Sequence, residues 1–234
     1  MQRNETFIPT LTKIQENTLM RSVYNWMMLG LFISGITAFL VSNSASIQRA
    51  IFGNSYMIWI LFILEIGLVI AISSGINRMT ASMASGMFLI FSFVNGLTLS
   101  SILLVYTSSS IAGTFFITGL TFGTMSVYGY YTKTDLTSWG HFFFMGLIGI
   151  IIASVVNFFL HNPMLDWIIS FIGVFIFVGL TAYDTQKIRR LGQNITSTNG
   201  EQFGKLTVIG ALSLYLDFIN LFLMLLRFSG RGRD

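Results

Sequence analysis

The chain alternates long apolar stretches with short polar segments, and seven of the apolar stretches can cross a bilayer. A helix needs about 20 apolar residues to span the hydrocarbon core. The stretches cover residues 23–41, 56–76, 82–106, 111–131, 142–160, 163–183 and 206–228. Because the segments between them are too short to fold alone, the pattern predicts one all-α seven-helix membrane domain over residues 23–228. Residues 1–22 and 229–234 are predicted to be tails.

Composition agrees with this pattern and narrows the classes of function. Hydrophobic residues make up 53% of the chain and charged residues 9%, whereas soluble domains carry about 25% charged residues. Cysteine is absent, which excludes disulfides, thiolate catalysis and cysteine-based metal sites. The net charge of +4 is not arranged as a basic run among exposed aromatics. We therefore expect the lipid bilayer, and not nucleic acid, as the partner.

The distribution of Lys and Arg predicts a cytoplasmic N-terminus, because cytoplasmic loops of membrane proteins carry excess positive charge. The loops on the N-terminal side of the bundle hold Arg78, Lys133, Lys187, Arg189, Arg190 and Lys205. The C-terminal basic residues, Arg227, Arg231 and Arg233, fall on the other side after seven crossings. Either the last span is re-entrant or the earlier charges fix the orientation. Its length of about 23 residues favours a full crossing.

Small and amide residues inside the spans predict close packing between helices, which associate in lipid through small residues and interhelical hydrogen bonds. Gly119 and Gly123 form a GxxxG pattern in the fourth span, while Asn95, Asn157 and Asn220 lie in three others. None of these residues is specific enough to indicate a substrate.

Three acidic residues are harder to explain by packing alone. Glu65 and Asp217 lie near the middle of the second and seventh spans, and Asp184 ends the sixth. A charge at the centre of a bilayer costs about 2.5–3.5 kcal/mol on insertion scales, and no Lys or Arg lies deep in a span. Such a carboxyl group holds a proton, recruits a cation or lines a hydrated cavity.

Polar residues follow one face of the seventh span around Asp217. Ser213, Asp217 and Asn220 are separated by four and three positions, so they share a helix face. This stripe is expected to face the interior of the bundle, as part of an ion path. A protonated Asp217 that only joins helices by a hydrogen bond is the simpler alternative.

Two motifs resemble the signature of the transmembrane Bax inhibitor motif family, in its bacterial branch. They are FVGLTAYDTQKI, which contains Asp184, and GALSLYLDFINLFLMLLRF, which contains Asp217. The resemblance implies a bacterial inner-membrane protein in which six helices surround the C-terminal seventh. It also implies a pH-sensitive calcium leak, with calcium as a transient ion and no resident cofactor.

The same resemblance assigns roles to individual residues. Asp184 and Asp217 are expected to pair as the pH-sensing gate and as a weak calcium site, and Glu65 is expected on the ion path. An arginine at the end of the second helix is expected to latch the closed form. Ile76 occupies that place here, so Arg78 is the nearest candidate for the latch.

Helix geometry sets a condition on the pairing of the two aspartates. If the sixth helix ends at Asp184 and the seventh begins near Leu206, Asp217 stands about 16 Å up the seventh helix at 1.5 Å per residue. The sixth helix would then have to tilt, or the vestibule dip inward, for the two carboxyl groups to meet.

The sequence also bears on two other classes of function. The polar tail over residues 1–22 is long enough to be gripped, which suggests a modulator or partner of a membrane-bound quality-control protease as the alternative. An intramembrane enzyme is not expected, because the chain has no HExxH motif and no GxSxG pattern at a plausible nucleophile site.

Overall fold

Apolar runs free of internal proline form the helices of this protein. The computed structural model describes residues 7–193 and 200–232, except the side chains of residues 7–13 and Ser55. Both prolines, Pro9 and Pro163, lie in the first turn of a helix, where the missing N–H costs no hydrogen bond. The helices are α1 (Phe7–Ser42), α2 (Ala45–Phe52), α3 (Ser55–Gly75), α4 (Ala81–Val105), α5 (Ser108–Tyr131), α6 (Thr137–Leu160), α7 (Pro163–Gln193) and α8 (Gly200–Ser229), with a 3-10 turn at Ile76–Arg78.

Seven helices in the described part of the chain, α1 and α3 to α8, are long and apolar enough to cross a membrane. The prediction of an all-α seven-helix membrane protein is confirmed. The short helix α2 was not predicted, since it lies in a polar segment; its Ile51 is buried in a cluster with Val41, Leu61 and Val94. In α8, 61% of the residues in its apolar segment are buried, against 39% or less in the other spans.

Two predicted boundaries differ from the structure. Residues 7–22 are not a separate tail, because α1 begins at Phe7 and runs on into the first span. Glu16, Leu19 and Met20 are buried there, so this segment packs against the protein despite its polar composition. Likewise α7 continues to Gln193, ten residues beyond the predicted end of the sixth span.

The chain forms two compact units. The first unit contains Met1–Val105 and Ile188–Tyr215, and the second contains Tyr106–Lys187 and Leu216–Asp234. The long helices α7 and α8 therefore each contribute one part to either unit.

The first unit is held by a close approach of α1 and α4. A side chain at Gly96 would lie 2.7 Å from the backbone carbonyl of Ser34, and one at Gly30 would lie 2.7 Å from the ring of Phe88. Only glycine leaves room for these contacts. Small residues of this kind let helices in lipid approach each other closely.

The second unit uses other glycines for the same purpose. A side chain at Gly129 on α5 would meet the backbone of Ala182 on α7, and one at Gly140 on α6 would meet the ring of Tyr183. Gly119 and Gly123 have nothing within 4 Å of the position of a β-carbon. The prediction that this GxxxG pair packs closely is wrong within this chain, since the pair lies away from the buried face of α5.

The C-terminal segment is fixed to the second unit. The N–H of Thr107 donates to the carbonyl of Arg231 at 3.1 Å, and the N–H of Arg231 donates to the hydroxyl of Ser110 at 2.8 Å. Arg227 contacts Asp166 at the start of α7, 3.3 Å away. The end of α8 thus lies beside the α4–α5 loop, as a full crossing requires and a re-entrant helix does not. Arg233 lies outside the described residues.

Candidate functional site

Asp217 is the most deeply buried of the described acids in the second unit. Only 5% of the residue is exposed, and its Oδ2 atom has no hydrogen-bond partner within the described residues. The nearby charge that acts on it is the carboxyl of Asp184, on α7. A carboxyl group in such surroundings needs a proton, a cation or water to satisfy it.

The packing of α7 against α8 explains how the two acids face each other. A side chain at Gly173 on α7 would touch Met224 on α8. Asp184 follows Gly173 by eleven positions and Asp217 precedes Met224 by seven, so each acid shares the helix face of that contact. At 1.5 Å per residue these separations are about 16 Å and 10 Å, which leaves an axial offset of about 6 Å. With the predicted helix ends, the sixth helix would have to tilt for the two carboxyl groups to meet. Less tilt is needed in the structure, because α7 continues beyond Asp184 to Gln193.

Asp184 is half-buried and has a base nearby. Lys187, three positions further along α7, attracts its carboxylate. The ammonium of Lys187 also lies 5.8 Å from the ring centre of Tyr183, within the range of a cation–π interaction. The pair is therefore asymmetric: Asp184 has a base beside it, whereas Asp217 is enclosed.

Glu65 belongs to the first unit and has its own partners. Thr98 donates to its Oε1 atom at 2.5 Å, and the amide of Asn95 donates to its Oε2 atom at 3.2 Å. Asp184 and Asp217 therefore lie in the second unit, whereas Glu65 lies in the first unit and is hydrogen-bonded to α4.

A hydrogen-bonded chain that the sequence did not reveal continues from Asn95. The hydroxyl of Tyr215 donates to Asn95 Oδ1 at 2.8 Å and lies 2.6 Å from the hydroxyl of Ser34. Tyr215 is fully buried, with its ring edge-on to Phe88 and Phe91. A tyrosine two positions before an intramembrane acid was the available signal, but sequence spacing gives no register between helices.

The other two residues of the predicted stripe are less engaged. Ser213 and Asn220 are both half-buried. The amide of Asn220 donates to the carbonyl of Leu216 in its own helix at 2.8 Å. No described contact links either side chain to the aspartate pair, and their place on the ion path stays a prediction.

The arginine expected to act as a latch differs in its contacts from another arginine of the first unit. Arg78 is exposed in the 3-10 turn after α3, and the ion pairs described for residues 7–193 and 200–232 do not include it. Instead Arg189 on α7 forms an ion pair with Glu16 on α1, and Gln193 donates to the same carboxylate at 3.1 Å. The sequence does not reveal this pair, because the polar composition of residues 1–22 indicates a tail.

The acidic side chains near Asp217 are too few to coordinate calcium by themselves. Three or more His, Cys, Asp or Glu side chains do not gather at any point in the described part of the chain. Two carboxylates supply at most four oxygen atoms, whereas Ca²⁺ takes 6–8 oxygen ligands. Any calcium here would need further oxygens from water or neutral side chains.

Comparison with known proteins agrees with the resemblance carried by the two motifs. Residues 16–234 match the family described as Inhibitor of apoptosis-promoting Bax1. The chain belongs to this family. Both aspartates, Glu65 and the Glu16–Arg189 pair lie within the matched range.

Bacterial relatives cover almost the whole length of this Bax1 inhibitor family chain. The inner membrane protein YbhL of Escherichia coli K12 is 47% identical over 216 residues, which are 92% of each chain. Protein RP147 of Rickettsia prowazekii is 42% identical over 99% of this chain and 95% of its own. A membrane protein of Streptococcus pyogenes serotype M6 is 36% identical over 98% of this chain and 99% of its own.

Proposed function

We propose that this protein is a pH-sensitive leak pathway for calcium and related cations in the bacterial inner membrane. In this proposal the N-terminus is cytoplasmic, the ion is cargo, and the protein has no enzymatic activity and no resident cofactor. Support for the location comes from the name of the Escherichia coli relative, an inner membrane protein, and from the seven apolar helices.

The observation that carries the proposal is the relationship between Asp217 and Asp184. Asp217 is enclosed and has an oxygen without a hydrogen-bond partner among the described residues. Asp184 is half-buried, and its charge acts on Asp217. An isolated carboxylate inside a membrane is costly and usually marks an ion or proton path. A purely structural acid would be expected to have a hydrogen-bond partner for both of its oxygens.

The pair works in the proposal as a proton-dependent tie between α7 and α8. Two neighbouring carboxyl groups share one proton more readily than both ionise, so they titrate as a pair. With one proton the acids attract each other, and the seam between the helices is closed. Removal of that proton leaves two like charges that repel, and a second proton removes the shared bond. Either change loosens the seam for a cation.

The experiment is calcium flux into vesicles of phosphatidylethanolamine and phosphatidylglycerol, measured with an internal calcium-sensitive dye across a pH series. Wild type is expected to conduct with a marked pH dependence. Asp217→Asn and Asp184→Asn keep the shape of the side chain but cannot share a proton, so both variants are expected to lose that dependence.

Asp166→Asn is the matched control, because Asp166 is an acid of the same unit whose side chain is 44% exposed and contacts Arg227. Its pH profile should match wild type. Superimposable profiles for wild type and Asp217→Asn would remove the aspartate pair from the mechanism, and absence of wild-type flux would remove the leak itself.

Modulation of a membrane-bound protease through the N-terminal segment stays a prediction without support from packing. The helical course of α1 from Phe7 and the burial of Glu16 and Leu19 argue against a long free tail. We therefore retain the leak pathway as the proposed function.

A further inference from the structure

Three buried oxygen atoms of the second unit have no hydrogen-bond partner in the described part of the chain. They are Ser126 Oγ on α5, Thr185 Oγ1 on α7 and Asp217 Oδ2 on α8. The exposed fractions of these residues are 6%, 0% and 5%. Buried polar groups are nearly always bonded to protein, water or an ion, so three exceptions in one unit require an explanation.

Neighbouring hydroxyls show that the helical conformation does not by itself leave a buried hydroxyl without a hydrogen-bond partner. On α5 the hydroxyl of Thr118 donates to the carbonyl of Thr114 at 2.7 Å, and on α7 that of Thr181 donates to Phe177 at 2.7 Å. Both residues are fully buried. Ser and Thr commonly bond to the carbonyl four residues earlier in this way. Ser126 and Thr185 do not, although each has such a carbonyl available.

The packing of the second unit places Ser126 between α7 and α8. One turn further along α5, Gly129 meets the backbone of Ala182 on α7. One turn earlier, Phe122 packs edge-on against Phe218 on α8, with ring centres 5.5 Å apart. Ser126 shares the buried face of both, so its hydroxyl lies on the seam where the three helices meet.

Thr185 and Asp217 belong to the same seam. Thr185 follows Ala182 by one turn on α7, and it is the residue directly after Asp184. Asp217 directly precedes Phe218, whose ring contacts α5. Because α5 and α7 run in the same direction, Ser126 and Thr185 lie on opposite sides of the Gly129–Ala182 contact, about 9 Å apart along the helices.

We infer that the hydroxyls of Ser126 and Thr185 are neutral oxygen ligands on the cation path, one beside each end of the aspartate pair. This inference rests on the proposed leak function and adds specificity-determining residues to it. Calcium needs more oxygens than two carboxylates provide; each hydroxyl adds one oxygen at its own position, and water supplies the rest. Separate weak sites also let an ion leave as readily as it enters, which conduction requires.

The test compares hydroxyl removal at these two positions with removal at matched positions. Ser126→Ala and Thr185→Val delete the unbonded hydroxyls, and Thr118→Val and Thr181→Val delete buried hydroxyls that are bonded to their own helices. Calcium flux is measured in the same vesicles at one pH, with the calcium concentration varied. The thermal stability of each purified variant with and without Ca²⁺ is the second measurement.

We expect Ser126→Ala and Thr185→Val to lower the flux roughly tenfold and to weaken stabilisation by Ca²⁺, while both control variants stay within about twofold of wild type; tenfold corresponds to about 1.4 kcal/mol. Thr185→Ser and Ser126→Thr restore an oxygen and should recover most of the flux. The inference is overturned if all four deletions behave alike, or if Thr185→Ser is as defective as Thr185→Val.

Failure of this inference is distinguishable from failure of the leak function. If wild type conducts with a pH dependence that Asp217→Asn abolishes, and the hydroxyl deletions change nothing, the aspartate pair stands and the hydroxyl ligands do not. If wild type does not conduct, both proposals fail.

Discussion

Glu16 on α1 forms an ion pair with Arg189 on α7, and the acid is the buried partner. The exposed fraction of the side chain is 6% for Glu16 and 30% for Arg189. Gln193 adds a hydrogen bond to the other carboxylate oxygen. Within the first unit, this contact fixes the last turns of α7 against the beginning of the chain.

Removing only the base of this pair should destabilise the protein. Arg189→Ala leaves the buried carboxylate of Glu16 without its charge partner, and we expect a loss of about 2–3 kcal/mol of unfolding free energy. Unfolding of the purified protein in detergent, followed by tryptophan fluorescence, measures it. The combined change Glu16→Leu with Arg189→Met should cost much less, because no buried charge is left unpaired.

Lys205→Met is the control, since Lys205 and Glu201 form an i,i+4 pair in which half of the Glu201 side chain is exposed. Such pairs contribute about 0.5 kcal/mol or less. Equal losses for Arg189→Ala and Lys205→Met would contradict a special role for the Glu16 pair.

Tyr215→Phe tests the hydrogen-bonded chain of the first unit. The ring keeps its contacts with Phe88 and Phe91, but Asn95 loses its donor, so we expect a loss of about 1 kcal/mol. A double-mutant cycle with Ser34→Ala should give a coupling of about 0.5–1 kcal/mol between the two hydroxyls. Tyr128→Phe, at a position 49% exposed, should be neutral. A coupling near zero would mean that the two hydroxyls do not share a bond.

Alanine substitutions at two glycines of α5 should change the stability of the protein differently, because the two glycines have different surroundings. Gly129→Ala places a methyl group against the backbone of Ala182, so α5 and α7 must move apart, at a cost of about 1–3 kcal/mol. Gly123→Ala adds the same atoms where nothing lies within 4 Å. It should be neutral or stabilise the helix by up to about 1 kcal/mol. Comparable destabilisation by the two variants, measured by the same unfolding assay, would count against the α5–α7 contact.

Cysteine accessibility tests the proposed orientation, and the absence of native cysteine makes the labelling clean. Ser109→Cys, Ser229→Cys and Lys133→Cys all lie at exposed positions. In intact cells an impermeant thiol reagent that reaches the periplasm should label positions 109 and 229. Position 133 should react only after lysis. The reverse labelling pattern would show that the protein has the opposite orientation in the membrane.

The sequence predicts the spans well, because polar groups are costly to bury in lipid. Each span is therefore a long apolar run that can be recognised from the sequence alone. The sequence placed the boundaries less well at residues 7–22 and 184–193. There, polar residues continue the helix and bury one face against protein, as Glu16 and Gln186 do. Hydropathy does not distinguish such a segment from a tail.

Contacts between helices could not be predicted from composition and hydropathy. The Asp184 and Asp217 positions came from motifs, but the unbonded hydroxyls of Ser126 and Thr185 depend on register between α5, α7 and α8. The GxxxG pair failed for the same reason: a small-residue spacing shows that a helix can pack closely there, but not which face does so. Gly129, outside that pattern, makes the contact.

The burial of α8 has a consequence for how the protein is made. Synthesis proceeds from the N-terminus, so Ser34 and Asn95 enter the membrane well before Tyr215, which bonds to both, has been translated. Asp184 is likewise inserted before Asp217. In a nascent chain arrested after α7, the Oδ1 atom of Asn95 therefore lacks the donor that Tyr215 supplies, and we expect the packing around Asn95 to be completed only after α8 has been inserted.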